Sequence, residues 1–119
     1  MTPDTSVSLH PYFKIRPGKI DAFKALSRRF VEQTKAEPGC LYYSFTFNGD
    51  EAYCREGYVD AAALLKHADN VGALLQEAGT ISDVTRMEAH GPEAELKKLQ
   101  ERLAGLNPQY FVLYQGFRQ

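Results

Sequence analysis

Two kinds of apolar spacing alternate along this chain, and their order constrains the fold more than any other feature. Segments in which apolar residues recur at every second position are predicted strands: 7–15, 40–47, 52–59, 80–90 and 110–117. Segments with amphipathic helical spacing lie between them: 20–36, 61–78 and 92–104. The order β-α-β-β-α-β is the ferredoxin-like pattern, here followed by one more helix and strand. We therefore predict an α+β fold, ferredoxin-like βαββαβ with an additional C-terminal helix and strand.

Turn and cap residues fall between these segments, as the prediction requires. Asn48-Gly49-Asp50 is typical of a hairpin turn. Asp60 suits a helix N-cap, and Pro92 suits the first turn of a helix. A helix break is expected near Asp69. Pro11 cannot donate a hydrogen bond, so we expect the first strand to be unpaired on one side there, or bulged.

Length and charge indicate one domain without a nucleic-acid or membrane partner. A chain of 119 residues is near the usual size for a single core. We predict one domain over 1–119, with a core at about 6–90 and a C-terminal extension at about 92–117. The formal net charge is −1, whereas phosphate binding needs a clustered basic surface. No apolar run is long enough for a bilayer, and the polar N-terminus lacks a signal-peptide pattern, so we expect a cytoplasmic protein.

The two cysteines are predicted to be free thiols. A hairpin at Asn48-Gly49-Asp50 places Cys40 and Cys54 about five residues out of register on neighbouring strands. Disulfide geometry does not tolerate that offset. The sequence has neither a Cys-x-x-Cys motif nor a histidine cluster with ligand spacing, so no metal site is predicted.

Tyrosines on the predicted hairpin suggest that both faces of the sheet are covered. Alternation assigns Tyr43 and Phe45 to one face, and we expect Tyr42 and Tyr58 on the other. Helices can cover one face of such a sheet, and a second copy of the chain can cover the other. We therefore predict a homodimer formed sheet to sheet, in which the last strand reaches over the partner or closes an open edge.

The segment from Glu56 to His67 resembles a recurrent stretch of the antibiotic biosynthesis monooxygenase (ABM) family. A strand ends in Glu56-Gly57-Tyr58, Asp60 starts a helix, and His67 follows on that helix. Together with the start of the second strand at Pro38-Gly39-Cys40-Leu41, the similarity covers roughly 6–90. The resemblance implies a dimeric α+β barrel of ferredoxin-like subunits. It also implies monooxygenation without a cofactor, on a small aromatic or quinol-like molecule.

His67 is the candidate catalytic residue. A histidine titrates near neutral pH, so His67 could remove a proton from an acidic phenol or quinol. Glu56 and Tyr58 point to the same side of their strand and could bind substrate or orient His67. Glu56 could instead pair structurally with Arg55, Arg86 or a partner-chain residue. Asn70 lies three residues after His67 and shares its helix face if the helix is unbroken, so it is a further candidate for substrate binding.

Arg86 is a further candidate for substrate binding. Arg86, Glu88 and His90 alternate along one face of their strand, and we assign Val84 to the same face. If that face lines a pocket, Arg86 could anchor an anionic group. If it lies at the dimer seam, the three side chains would form a charge network. The sequence leaves both roles of Arg86 open. It also leaves open two other functions: a non-catalytic ligand-binding or interaction domain of the same dimeric fold, and a haem-binding or haem-degrading protein with His67 as axial ligand.

Overall fold

The computed structural model describes residues 4–119 and shows the predicted α+β order. Its strands are β1 (Val7–Ile15), β2 (Cys40–Asn48), β3 (Glu51–Tyr58), β4 (Ser82–Gly91) and β5 (Gln109–Val112). Its helices are α1 (Ile20–Thr34), α2 (Ala61–Asn70), α3 (Gly72–Ile81), α4 (Glu93–Lys97) and α5 (Gln100–Leu103), followed by a 3-10 turn (Ala104–Leu106). The ferredoxin-like prediction, including the additional C-terminal elements, is confirmed.

The strands form one sheet in the order β2-β3-β1-β4-β5. β2, β3, β1 and β4 are antiparallel neighbours, whereas β5 runs parallel to β4. The last strand therefore covers the outer edge of β4, one of the two placements expected for it. The helices pack on one side of the sheet, and we call the other side the helix-free face.

Local sequence chemistry accounts for the element boundaries. Gly49 takes a positive φ of 61° between the paired residues Asn48 and Glu51, a conformation that glycine adopts without strain. The Asp60 side chain accepts a hydrogen bond from the Ala63 backbone N–H at 2.9 Å, so it caps α2 as predicted. The predicted helix break falls between α2 and α3, two residues after Asp69.

The core joins the sheet, α2 and the C-terminal extension. Tyr58 and Leu64 are fully buried, and they cluster with Leu96, Leu99 and Leu103 of the extension. Burial of each such side chain contributes about 1.5–3 kcal/mol. The extension is therefore packed into the same core as the βαββαβ unit. The predicted single helix over 92–104 is instead two short helices and a 3-10 turn.

The pairing of β1 with β4 contains a β-bulge that changes the direction of one side chain. Tyr12 lies opposite Arg86 and Phe13 lies opposite Val84, so Thr85 is the extra residue of a bulge. Val84 consequently turns to the helix side, while Arg86 stays on the helix-free face. The expectation that Val84 shares the face of Arg86 was wrong, because alternation was extended through the bulge.

Pro11 behaves as predicted. Its Cα has a partner, Met87, in β4, but the register between β1 and β3 passes from Leu9↔Glu56 to Tyr12↔Tyr53. The β3 side of the strand is thus unpaired at the proline, where an N–H donor is missing.

The register of the β2–β3 hairpin corrects one assignment and confirms another. Facing residues of an antiparallel pair lie on one side of a sheet. Tyr43 faces Glu56, and Tyr58 lies two residues after Glu56, so Tyr58 is on the helix side of the sheet. The expectation that Tyr58 shares the face of Tyr42 was wrong. Cys54 faces Phe45, which confirms its five-residue offset from Cys40, and both thiols are free.

Candidate active site

A cavity of about 330 Å³ lies between the helices and the sheet. Its walls are mostly apolar and include Phe30, Phe45, Val71, Leu75 and Met87. The volume is at the lower end of the range for small-molecule sites, and the apolar lining is typical of them.

Four neighbouring polar side chains line the cavity: Tyr43, Cys54, Glu56 and His67. They come from β2, β3 and α2, so the fold brings them together from separate parts of the chain. The remaining cavity surface offers few hydrogen-bonding groups. A bound molecule would therefore be oriented mainly by this cluster.

His67 lies between two carboxyl groups. It is 4% exposed, its Nδ1 is 2.8 Å from Glu37 Oε2, and its Nε2 is 3.5 Å from Glu56 Oε1. An ionised carboxylate only accepts hydrogen bonds, so Nδ1 carries hydrogen when Glu37 is ionised. The 3.5 Å contact exceeds a normal hydrogen bond, which leaves the Nε2 lone pair available to another donor in the cavity.

Glu37 fixes the orientation of the imidazole, and sequence reasoning missed it. It sits in the connection between α1 and β2, with its side chain 12% exposed. Its Oε2 also accepts a hydrogen bond from Asn70 Nδ2 at 2.7 Å, and Asn70 Nδ2 donates to the Gln33 carbonyl at 3.1 Å. Asn70 therefore supports Glu37 and does not itself line the cavity. A loop carboxylate has no periodicity that would have marked it.

Glu56 is a carboxyl group in a low-polarity environment. It is 3% exposed, and its Oε1 accepts a hydrogen bond from the Tyr58 hydroxyl at 2.5 Å. Burial is the main cause that raises the pKa of Glu56, against the opposing effects of His67, Tyr58 and Cys54. A carboxyl group of this kind holds its proton to a higher pH than an exposed glutamate does and can donate it to a bound molecule.

Tyr43 and Cys54 are neutral hydrogen-bonding groups beside this pair. The ring of Tyr43 lies 5.1 Å from that of His67. Burial raises the pKa of the Tyr43 phenol and of the Cys54 thiol. Both therefore keep their protons at neutral pH and can orient a bound oxygen atom.

Two of the other predicted site residues lie outside the cavity lining. Tyr58 is fully buried, and its ring contacts that of His67 at 5.2 Å, so it acts on the site through Glu56 and His67. Arg86 lies on the helix-free face and donates to Glu88, which is also 2.8 Å from His90 Nε2. The charge network is the alternative that the structure displays, and substrate binding by Arg86 stays a prediction.

The described residues 4–119 show two further absences. None of their helices combines the length and the apolar character needed to cross a membrane. Nor do they bring together three or more His, Cys, Asp or Glu side chains in an arrangement that could hold a metal ion.

The fold and the site define a class: a small ferredoxin-like α+β domain with acid–base groups in an apolar cavity on its helix side. The sequence profile of the antibiotic biosynthesis monooxygenase family matches residues 6–72, more than half of the chain. The chain belongs to that family, which confirms the resemblance seen in the sequence.

Solved structures extend the comparison. MupZ from Pseudomonas fluorescens is 45% identical, with a TM-score of 0.93 over 97% of this chain and 95% of its own. Rv0793 from Mycobacterium tuberculosis is 25% identical, with a TM-score of 0.64 over 71% of this chain and 92% of its own. The uncharacterized protein sll1783 from Synechocystis is 50% identical over 32 residues, which are 27% of this chain and 22% of that protein. This chain thus matches about a fifth of that relative's length.

Proposed function

We propose that this protein is a cofactor-independent monooxygenase acting on a small aromatic or quinol-like molecule, with His67 as the general base. The observation that carries the proposal is the environment of His67. Its imidazole is buried in an apolar cavity, held at Nδ1 by Glu37, with Nε2 facing the interior. Histidine oriented through one ring nitrogen by a carboxylate is a recurrent form of general base.

The proposed reaction needs a proton acceptor and a water-poor site. Nε2 of His67 takes the proton of the substrate, and the resulting carbanion or phenolate supplies electrons to molecular oxygen. A carbon–oxygen bond forms and the oxygen–oxygen bond breaks, so one oxygen atom stays on the carbon and the other leaves as water. The two hydrogens of that water come from the substrate: from one CH₂ carbon in an anthrone-like compound, or from a C–H and an O–H group in a quinol. The apolar walls strengthen electrostatic interactions with the developing anion.

Glu56 has a complementary role in this proposal. Its raised pKa favours the protonated carboxyl group, which can donate that proton to the oxygen that leaves. Tyr43 and Cys54 donate hydrogen bonds that orient the substrate oxygen. Acid and base then lie side by side, as proton transfers in opposite directions require.

Oxygen uptake tests the proposal. A panel of quinols and anthrone-like compounds is added to the wild type and to His67→Ala, and we expect the variant to lose roughly 10²–10⁴-fold in rate. His90→Ala is a matched control, because His90 is on the helix-free face. Equal rates for wild type and His67→Ala would remove His67 from the mechanism. Turnover of a substrate at the same rate without oxygen would refute oxygenation while leaving a role for His67 in proton transfer.

We also propose that the helix-free face joins two copies of the chain. Tyr42 and Phe111 are each 44% exposed on that face, which also carries the stacked rings of Tyr12 and Tyr53. A self-complementary contact would bury these rings. Sedimentation should give twice the chain mass for the wild type and for an α1 control, Arg28→Asp, and a lower mass for Tyr42→Asp. A single-chain mass for the wild type at micromolar concentration would refute the dimer.

A further inference from the structure

Three exposed apolar side chains surround the opening of the cavity. Leu75, Val84 and Leu106 all line it, yet they are 42%, 48% and 46% exposed. They come from α3, from the bulged part of β4 and from the 3-10 turn of the extension. Single exposed apolar residues are ordinary, but a cluster of exposed apolar side chains at one opening is typical of a surface that binds an apolar ligand. We call these three residues the apolar rim.

The position of Leu106 is fixed by the fold. Leu103, one turn earlier, is 2% exposed and forms part of the cavity wall. Arg102 forms an ion pair with Asp69, which ties the extension to the helix that carries His67. Asn107 then takes a left-handed conformation with φ 48° and turns the chain towards β5. The extension therefore holds the apolar rim in place relative to the reacting groups.

The volume of the cavity limits the size of the group that it can enclose. At about 30 Å³ per non-hydrogen atom, the volume of a water in the liquid, a cavity of 330 Å³ accommodates roughly ten such atoms. That is one substituted ring. A ring-sized molecule would touch only the parts of Leu75, Val84 and Leu106 that face the cavity and would leave their exposed parts in water, whereas a longer one would cover those parts as well.

We propose that the natural substrate is an elongated amphiphile, with a ring-sized reactive group at His67 and an aliphatic chain that leaves over Leu75, Val84 and Leu106. This inference rests on the proposed function, because it takes the cavity as the substrate site. It makes the C-terminal extension the element that selects for chain length. Chain atoms on the rim are only partly removed from water, so each added CH₂ should improve binding about twofold, less than the roughly fourfold expected for full burial.

Binding of an alkyl-hydroquinone series tests the inference. Dissociation constants are measured by calorimetry for methyl, pentyl and nonyl hydroquinone. For the wild type we expect affinity to rise with chain length. Leu106→Ser should lower the affinity for the methyl compound only slightly, because that compound touches only the part of Leu106 that faces the cavity, and it should lose most of the gain from the longer chains. Leu75→Ser should also reduce the gain in affinity with chain length. That result would show that the effect is not specific to the C-terminal extension.

Leu113→Ser is the matched control. Leu113 also follows the extension helices and is 49% exposed, but it borders the helix-free face. It should leave the dependence on chain length unchanged. Equal dependence in wild type and Leu106→Ser, or none in the wild type, would overturn the inference. So would a change of solution mass in Leu106→Ser without a change in ligand affinity, since the rim would then contact another copy. If the series binds as expected but no compound consumes oxygen, the inference stands and the oxygenase proposal fails.

Discussion

Replacing Glu56 by Gln should make the protein more stable at alkaline pH while damaging the site. Gln has nearly the same size, and its carbonyl can still accept the hydrogen bond that the Tyr58 hydroxyl gives to Glu56. The change removes a buried group whose ionisation is unfavourable. Natural proteins retain such costly groups at functional sites.

The magnitude follows from proton linkage. Burial raises the pKa of Glu56 in the folded state above its ordinary value of 4.5. As pH rises above 4.5, the unfolded chain releases this proton and the folded chain keeps it, so the free energy of unfolding falls. The slope is at most about 1.4 kcal/mol per pH unit for one proton. The decline ends where Glu56 ionises in the folded state. Glu56→Gln has no ionisable group at this position, so its free energy of unfolding lacks this pH dependence.

The assay is urea unfolding of both proteins at half-unit steps from pH 4 to 9. Near pH 4 the free energy of unfolding of the wild type should equal that of the variant or exceed it by about 1 kcal/mol. Glu56 is then uncharged and keeps its native hydrogen bonds, so its burial carries no cost of ionisation. Above pH 4.5 the free energy of unfolding of Glu56→Gln should rise steadily relative to that of the wild type, and the difference should then level off. Glu93→Gln removes a carboxyl group that is 66% exposed, and its stability difference should stay small throughout. Parallel curves for wild type and Glu56→Gln, or a difference that grows as pH falls, would refute the reasoning.

Three substitutions test the packing around the site. Leu64→Ala should lower the free energy of unfolding by about 2–5 kcal/mol in urea, because Leu64 is fully buried; a loss below 1 kcal/mol would contradict that packing. Gly39→Ala should cost about 1–3 kcal/mol in the same assay, since a Cβ there would lie 2.6 Å from that of Ala63 on α2, and an unchanged midpoint would count against the close approach. Asp60→Ala should cost about 1 kcal/mol by thermal unfolding, through loss of the α2 cap, whereas Asp60→Asn should restore most of it.

Regular segments were predictable from the sequence because their apolar spacing is a direct consequence of packing on one face. β1 was predicted with the bounds that the structure shows, Val7–Ile15. The last strand was predicted too long. β5 pairs with β4 only from Glu88↔Gln109 to Gly91↔Val112, and β4 ends at Gly91, so no further backbone is available to pair with.

The site was only partly predictable, for reasons of geometry. Glu56 and Tyr58 alternate on one strand, and the structure places both beside His67. Arg86 lies on the other side of the sheet, an outcome that depends on strand register and not on composition. Glu37 meets His67 across thirty positions of sequence, and nothing in a loop indicates such a contact in advance.

The register shift at the start of β2 affects the exposed edge of the sheet. β2 is the outermost strand opposite β5, and its aromatic sequence would otherwise present a long template for strand addition. The register shift between Cys40 and Tyr42 interrupts that template near its beginning. A displaced backbone at this point cannot form a continuous ladder with an incoming strand, because its donors and acceptors lose their even spacing. The distortion thus limits the regular outer edge of β2 to residues 42–48, and a variant that straightened it would lengthen the edge that is open to edge-to-edge aggregation.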